Sequence, residues 1–123
     1  MKKDFYVCSV CGNMVGMIRD GGGKLVCCGK PMEILTANSV DAAVEKHVPV
    51  FEKSGDVLSV TVGSAEHPMI AEHHIEWICV QDDCGKVQRK SLKPGDAPKA
   101  VFKDVCDSFT VYAYCNLHGL WKA

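Results

Sequence analysis

Between Val57 and Val62 the apolar side chains of Leu58, Val60 and Val62 fall at alternate positions, so they share one face of an extended strand. The same period returns from Ser108 to Cys115. There Phe109, Val111, Ala113 and Cys115 share one face, and Tyr112 and Tyr114 the other. Ile75 to Val80 reads as a further strand. Lys86 to Leu92 returns after a turn at Gln81-Asp82-Asp83-Cys84-Gly85. Val48-Pro49-Val50-Phe51 is apolar and β-like, and Pro49, which has no N–H for a ladder, assigns it to a sheet edge. Ala100-Val101-Phe102 adds one more strand. Turn formers punctuate the series at Ser54-Gly55-Asp56, at Gly63-Ser64 and along Lys93 to Pro98. Asp41-Ala42-Ala43 offers one helical turn. Short strands separated by regular turns predict an all-β sandwich of the immunoglobulin type over residues 38–123.

Residues 1–37 follow a different logic. Cys8-Ser9-Val10-Cys11-Gly12 is a metal knuckle: two thiolates at this spacing can grip one ion, and the glycine permits the tight turn. Cys27-Cys28-Gly29 comes later, and together the pairs supply the four sulfurs of a tetrahedral site. Adjacent side chains diverge in a strand, so Cys27 and Cys28 must lie in a bend to reach one ion. Asn13 to Arg19, the turn Asp20-Gly21-Gly22-Gly23 and Lys24-Leu25-Val26 predict one hairpin between the two pairs. So short a segment cannot bury enough apolar surface to fold alone, and a metal supplies the stability. Spacing alone leaves zinc and iron both open.

Composition narrows the class. A chain of 123 residues with 47% hydrophobic and 24% charged residues is an ordinary globular size and balance. A net charge of -1 points to no nucleic-acid or anionic-membrane partner. The start, Met1-Lys2-Lys3-Asp4, carries no apolar signal region, and no run approaches the ~20 apolar residues of a membrane span. The expected location is the cytoplasm. Eight cysteines there point to metal ligation or redox chemistry before structural disulfides.

The second chemical signal is Cys115-Asn116-Leu117-His118, a thiol and an imidazole three residues apart. His47, His67 and the pair His73-His74 join it, and all five histidines stand at or after position 47. Imidazoles with one thiolate suit iron, copper or zinc. His47 lies just before a strand, His67 in a loop, His73 at a strand entrance, and Cys115 and His118 at a strand exit. Such positions can converge at one end of a sandwich. Four imidazoles and one thiolate would leave one octahedral position free, the mark of a catalytic metal. Alternation lets only one of His73 and His74 face the metal, and spacing does not choose between them.

Cys8-x-x-Cys11-Gly, Cys27-Cys28-Gly, Val44-Glu45-Lys46-His47-Val48-Pro49, His67-Pro68-Met69-x-x-x-His73, Ile75-Glu76-Trp77, Leu92-Lys93-Pro94-Gly95 and Cys115-Asn116-Leu117-His118-Gly stand in one order along nearly the whole chain. In these motifs the chain resembles desulfoferrodoxin, the two-iron form of superoxide reductase, and residues 1–37 resemble desulforedoxin. The resemblance implies one iron in the four thiolates of Cys8, Cys11, Cys27 and Cys28. It implies a second iron held by His47, His67, His73, His118 and the axial Cys115, and so it chooses His73 over His74. It implies one-electron reduction of superoxide to hydrogen peroxide, in oxidative-stress defence, with no dioxygen made. An external donor such as rubredoxin would restore the ferrous iron. It gives Lys46 the role of attracting superoxide and Glu45 that of occupying the open position once the iron is ferric. A homodimer is implied as well. Two other readings compete: a non-catalytic iron electron-transfer protein and a zinc-stapled binding module.

Cys79, Cys84 and Cys106 lie outside this pattern. Cys79 and Cys84 flank a hairpin turn, where a disulfide or an extra metal contact can form. Otherwise Cys79 and Cys106 are buried as small apolar residues and Cys84 is an exposed thiol.

Overall fold

The computed structural model describes residues 4–123. Met1, Lys2 and Lys3 of the charged start lie outside the described residues. The chain divides after Thr36 into two compact units. Among the described residues no helix is long and apolar enough to cross a membrane.

In the first unit β1 (Phe5–Val7) pairs antiparallel with β2 (Met14–Gly16). A separate ribbon joins β3 (Val26–Cys27) to β4 (Lys30–Pro31), and β5 (Glu33–Ile34) completes the first sheet beside β1. The single hairpin expected between the cysteine pairs is therefore replaced by two. The reason lies in the sulfurs, because each cysteine pair occupies the turn region of its own hairpin. Cys8 to Cys11 come directly after β1, closed by the Gly12 N–H donating to Cys8 O at 3.0 Å. Cys28 and Gly29 form the two-residue turn after β3, with φ of 53° and 73°. Positive φ at both central residues matches the twist of a tight hairpin, and glycine takes it at no steric cost. Phe5 and Cys8 are the buried apolar side chains of this unit among the described residues, too few for a self-sufficient core.

The second unit opens with α1 (Val44–His47), three residues later than the helical turn expected at Asp41–Ala43. Ala43 is extended, and its carbonyl receives both the Lys46 N–H and the His47 ring. The strands are β6 (Pro49–Ser54), β7 (Val57–Val62), β8 (Ile75–Asp82), β9 (Val87–Ser91), β10 (Lys99–Phe102), β11 (Phe109–Cys115) and β12 (Gly119–Lys122). One sheet runs β10-β7-β6 and the other β12-β11-β8-β9, the immunoglobulin-type sandwich that the periodicity predicts. β6 is an edge strand that starts at Pro49. β12 was not expected, since it comes directly after His118 and is only four residues long.

Leu58, Val60 and Val62 point inward from one sheet, and Ile78, Val80, Val111 and Ala113 from the other. Each is at most 1% exposed. Burial on this scale contributes about 1.5–3 kcal/mol per large aliphatic side chain.

β8 continues two residues past its apolar run, through Gln81 and Asp82, both buried. The Asp82 carboxylate accepts the N–H groups of Lys86 at 2.9 Å, Cys84 at 3.1 Å and Cys106 at 3.2 Å. Burial opposes its charge, but these donors outweigh burial and hold the carboxyl below its usual range. By drawing the β8–β9 turn and the segment before β11 together, Asp82 lets Cys84 and Cys106 form a disulfide. This corrects the pairing expected for Cys79 and Cys84. Cys79 stands in mid-strand, opposite Tyr112 and Arg89, and is fully buried. Burial pushes its thiol up to about 11.

The bridge closes a loop across a sequence separation of 22, and constraining the unfolded chain to that extent is worth about 3 kcal/mol. Cys84→Ser/Cys106→Ser should therefore unfold at lower denaturant than the wild type, and the two should coincide once the wild type is reduced. Equal midpoints before reduction would show that the bridge adds no stability.

Candidate metal centres

The sulfurs of Cys8, Cys11, Cys27 and Cys28 all lie within 4.8 Å of one another. Cys11 Sγ is 3.6 Å from Cys27 Sγ, which is 4.0 Å from Cys28 Sγ. The N–H groups of Val10 and Cys11 donate to Cys8 Sγ at 3.4 and 3.5 Å. These two donors, that of Cys11 foremost, bring the Cys8 thiol down to about 6. The same crowding acts the other way at Cys28, where hydrogen bonding to Cys11, then Cys8 and Cys27, pushes the thiol up to about 12. The Cys8 thiolate forms readily, while Cys27 and Cys28 resist. Four thiolates this close need a cation among them, and the set fits one tetrahedral ion with no position left over.

The second set gathers at one end of the sandwich. His47 ends α1, His67 lies in the loop after β7, and His73 closes a tight turn in which it exchanges two backbone hydrogen bonds with Ile70. Cys115 ends β11, and His118 lies in the turn to β12. The donor atoms of His47, His67, His73 and Cys115 lie within 4.8 Å of one another. His118 completes the group through Nδ1, 3.0 Å from His47 Nε2 and 3.9 Å from Cys115 Sγ.

The four rings stand at the corners of a square. Neighbouring centroids are 4.8 Å apart for His47–His67, 4.6 Å for His67–His73, 5.0 Å for His73–His118 and 4.7 Å for His118–His47, while the His47–His73 diagonal is 6.2 Å. His47 Nδ1 is engaged by Ala43 O and His67 Nδ1 by Pro68 O, each at 2.7 Å, which leaves Nε2 of both rings for the centre. His67 Nε2 and His73 Nε2 are buried and have no hydrogen-bond partner among the described residues. Orphaned inward nitrogens are costly unless a metal receives them. Burial lowers the pKa of His47 and His73 and takes His67 down to about 4, so the rings are held neutral, as ligation requires. His74 Nδ1 is likewise buried without a partner among the described residues, but unlike His118 this ring makes none of the contacts of the square and is not in the donor group.

Surrounding residues fix these ligands. Trp121 stacks on His47 at 5.0 Å, and its Nε1 donates to the His118 carbonyl at 3.0 Å. The loop after β7 grips α1: the Ala65 N–H donates to Glu45 O at 2.9 Å and the Gly63 N–H to Val48 O at 3.2 Å. Gly63 has φ of 83°, and a Cβ there would stand 2.7 Å from Lys46 O and 2.8 Å from Glu45 O. The Ala65 carbonyl of its own loop would be closer still, so any other residue would force this loop and the α1 turn apart or distort the loop itself. Sequence reading did not name Trp121, and it named Gly63 only as a turn former. The only local signals were an aromatic three residues after His118 and a glycine ending a strand. Glu45 and Lys46 are exposed on α1, and the ammonium of Lys46 adds to the burial that disfavours protonated His73 and His47.

Fold and sites together define a class: an all-β metalloprotein with two metal centres, one coordinatively full and one with five protein donors. The desulfoferrodoxin family model matches residues 39–123, and that of the desulfoferrodoxin N-terminal domain matches residues 1–35. The chain belongs to the desulfoferrodoxin family. A desulfoferrodoxin homolog of Archaeoglobus fulgidus is 52% identical over 118 residues, covering 96% of this chain and 94% of that protein. The desulfoferrodoxin of Nitratidesulfovibrio vulgaris is 51% identical over 120 residues, covering 98% and 94%. The crystal structure of the superoxide reductase from Treponema pallidum superposes with a TM-score of 0.81 at 34% identity, covering 100% of this chain and 99% of that one. The two donor sets fit the family's two irons.

Proposed function

We propose that the second centre reduces superoxide to hydrogen peroxide, with His47, His67, His73, His118 and Cys115 as the ligands of its iron. The observation that carries this reading is the square of four imidazoles beside a buried thiol. Five protein donors leave one octahedral position for a small anion. Iron bound there would supply one electron per superoxide, and two protons complete the peroxide. An external donor, of which rubredoxin is our candidate, returns the electron. In the same reading residues 1–37 form an electron-handling module whose iron is held by Cys8, Cys11, Cys27 and Cys28, and residues 38–123 form the catalytic domain. Six cysteines stay free of the disulfide, which suits a reducing cytoplasm, with the Cys84–Cys106 bridge as the exception.

The chain's own residues handle the anion. Lys46 is exposed beside His47 and draws superoxide toward the open position. Glu45, on the same turn, supplies the carboxylate that covers that position between turnovers. A second copy of the chain is the partner that the first unit calls for. Ile18 is 89% exposed there, Val26 61%, Val10 59% and Ile34 52%, a large apolar display for so small a unit.

Variants separate the two centres. Cys11→Ser should lose the first iron and keep the reaction with superoxide in pulse radiolysis, whereas Cys115→Ser and His118→Ala should lose the reaction. An unreactive Cys11→Ser protein with an intact second iron would refute the division. Lys46→Ala should slow the second-order step about tenfold. It should also flatten the salt dependence, because the Debye length shrinks from ~10 Å at 0.1 M to ~3 Å at 1 M. A wild-type rate with the wild-type slope removes Lys46 from the mechanism. Sedimentation should find a homodimer at micromolar concentration, and a monomer there would sink the pairing.

A further inference from the structure

β11 and β8 pair residue for residue from Phe109 opposite Asp82 to Tyr114 opposite Trp77. The register then slips, Cys115 faces Ile75, and Glu76 is skipped. A bulge of this kind bends a strand and re-aims the side chains beyond it. Here it falls where two candidate ligands meet, with Cys115 at the end of β11 and His73 two residues before β8. Regular pairing cannot hold them together past that point.

Asn116 does so instead. Its side-chain oxygen accepts the His74 N–H at 2.8 Å, and its side-chain amide donates to Glu72 O at 3.0 Å. Its own N–H donates to His74 O at 3.2 Å. The three bonds grip the chain immediately before and immediately after His73. The tight turn that carries His73 is closed internally by its bonds to Ile70, but those bonds tie it to itself and not to β11.

We propose that Asn116 is a positioning residue of the second centre, clamping the chain on both sides of His73 so that this imidazole stays in register with Cys115. The role requires a donor and an acceptor on one short planar group, which asparagine has. Aspartate lacks the donor, and glutamine is one methylene too long. Outer partners that orient metal ligands commonly change metal affinity by about ten- to a hundredfold when removed. The inference rests on the reading of His73 and Cys115 as ligands of one iron.

The test uses the full chain with both irons bound. Asn116→Ala should release the second iron to a competing chelator about tenfold faster than the wild type. It should also shift the thiolate-to-iron charge-transfer band of the oxidised second centre, while the first centre keeps its spectrum and its iron. Asn116→Asp keeps the acceptor for His74 and loses the donor to Glu72. It should show a smaller change of the same sign, and it carries the test if Asn116→Ala does not fold. Wild-type release rates with an unmoved band in the folded variants overturn the assignment. So does equal loss of iron from both centres, which marks general destabilisation. Cys115→Ser in the same assay separates the two levels of inference: if it retains the second iron as the wild type does, the ligand assignment itself has failed.

Discussion

The structure turns on a cysteine placed inside a hydrophobic core. Cys115 is fully buried and shares the inward face of β11 with Val111 and Ala113. Burial raises its thiol above the ordinary range, although the N–H groups of Leu117 and His118 pull the other way. A thiolate at such a position needs positive charge at bonding distance, or it stays a thiol. The strand that fills the core is therefore the strand that aims the sulfur. Packing and ligation are one problem here, and the immunoglobulin-type frame solves both by delivering the remaining donors from loops at the same end.

The first unit solves its folding problem in the opposite way. It buries Phe5 and Cys8 and little else among its described apolar residues, and Cys11 and Cys28 stay exposed. Its cohesion comes from four sulfurs within 4.8 Å of one another, carried by two hairpin turns. An ion enclosed by four thiolates has no position for a substrate. The second centre sits deeper and keeps a position open. Donor count thus separates a closed centre from one with room for a further ligand.

The features legible in the sequence are the local ones. Leu58, Val60 and Val62 announce β7 because period two is written within six residues. The thiols and imidazoles announce metal chemistry by type and spacing. The choice between His73 and His74 is not local, and only resemblance makes it. The hairpins of the first unit escape sequence reading because strands of two or three residues carry too little alternation to reveal their partners, and the sulfur geometry decides the pairing. The α1 turn falls three residues from its expected place because four residues cannot show a helical period, while its position depends on Gly63 from the neighbouring loop. The Cys84–Cys106 bridge needs Asp82 to gather peptide N–H groups from two separate segments, which no spacing rule encodes.

The capture of an anion raises a final physical question, because the chain as a whole carries a net charge of -1. No long-range attraction of superoxide can come from that total. At physiological ionic strength charges beyond a Debye length of ~8 Å are largely screened, so only groups at the rim of the centre count. Burial holds His47, His67 and His73 neutral, and a ligating thiolate is negative. Attraction must then come from the metal's remaining charge and from a cation close by. In the proposed reading Lys46 is that cation, and Glu45 on the same turn partly opposes it. Both stand where they do because the loop after β7 grips α1 and because Gly63 leaves room for the Glu45 and Lys46 carbonyls. On that reading the balance of attraction at the open position depends on one short helical turn and on the loop at Gly63 packed against it.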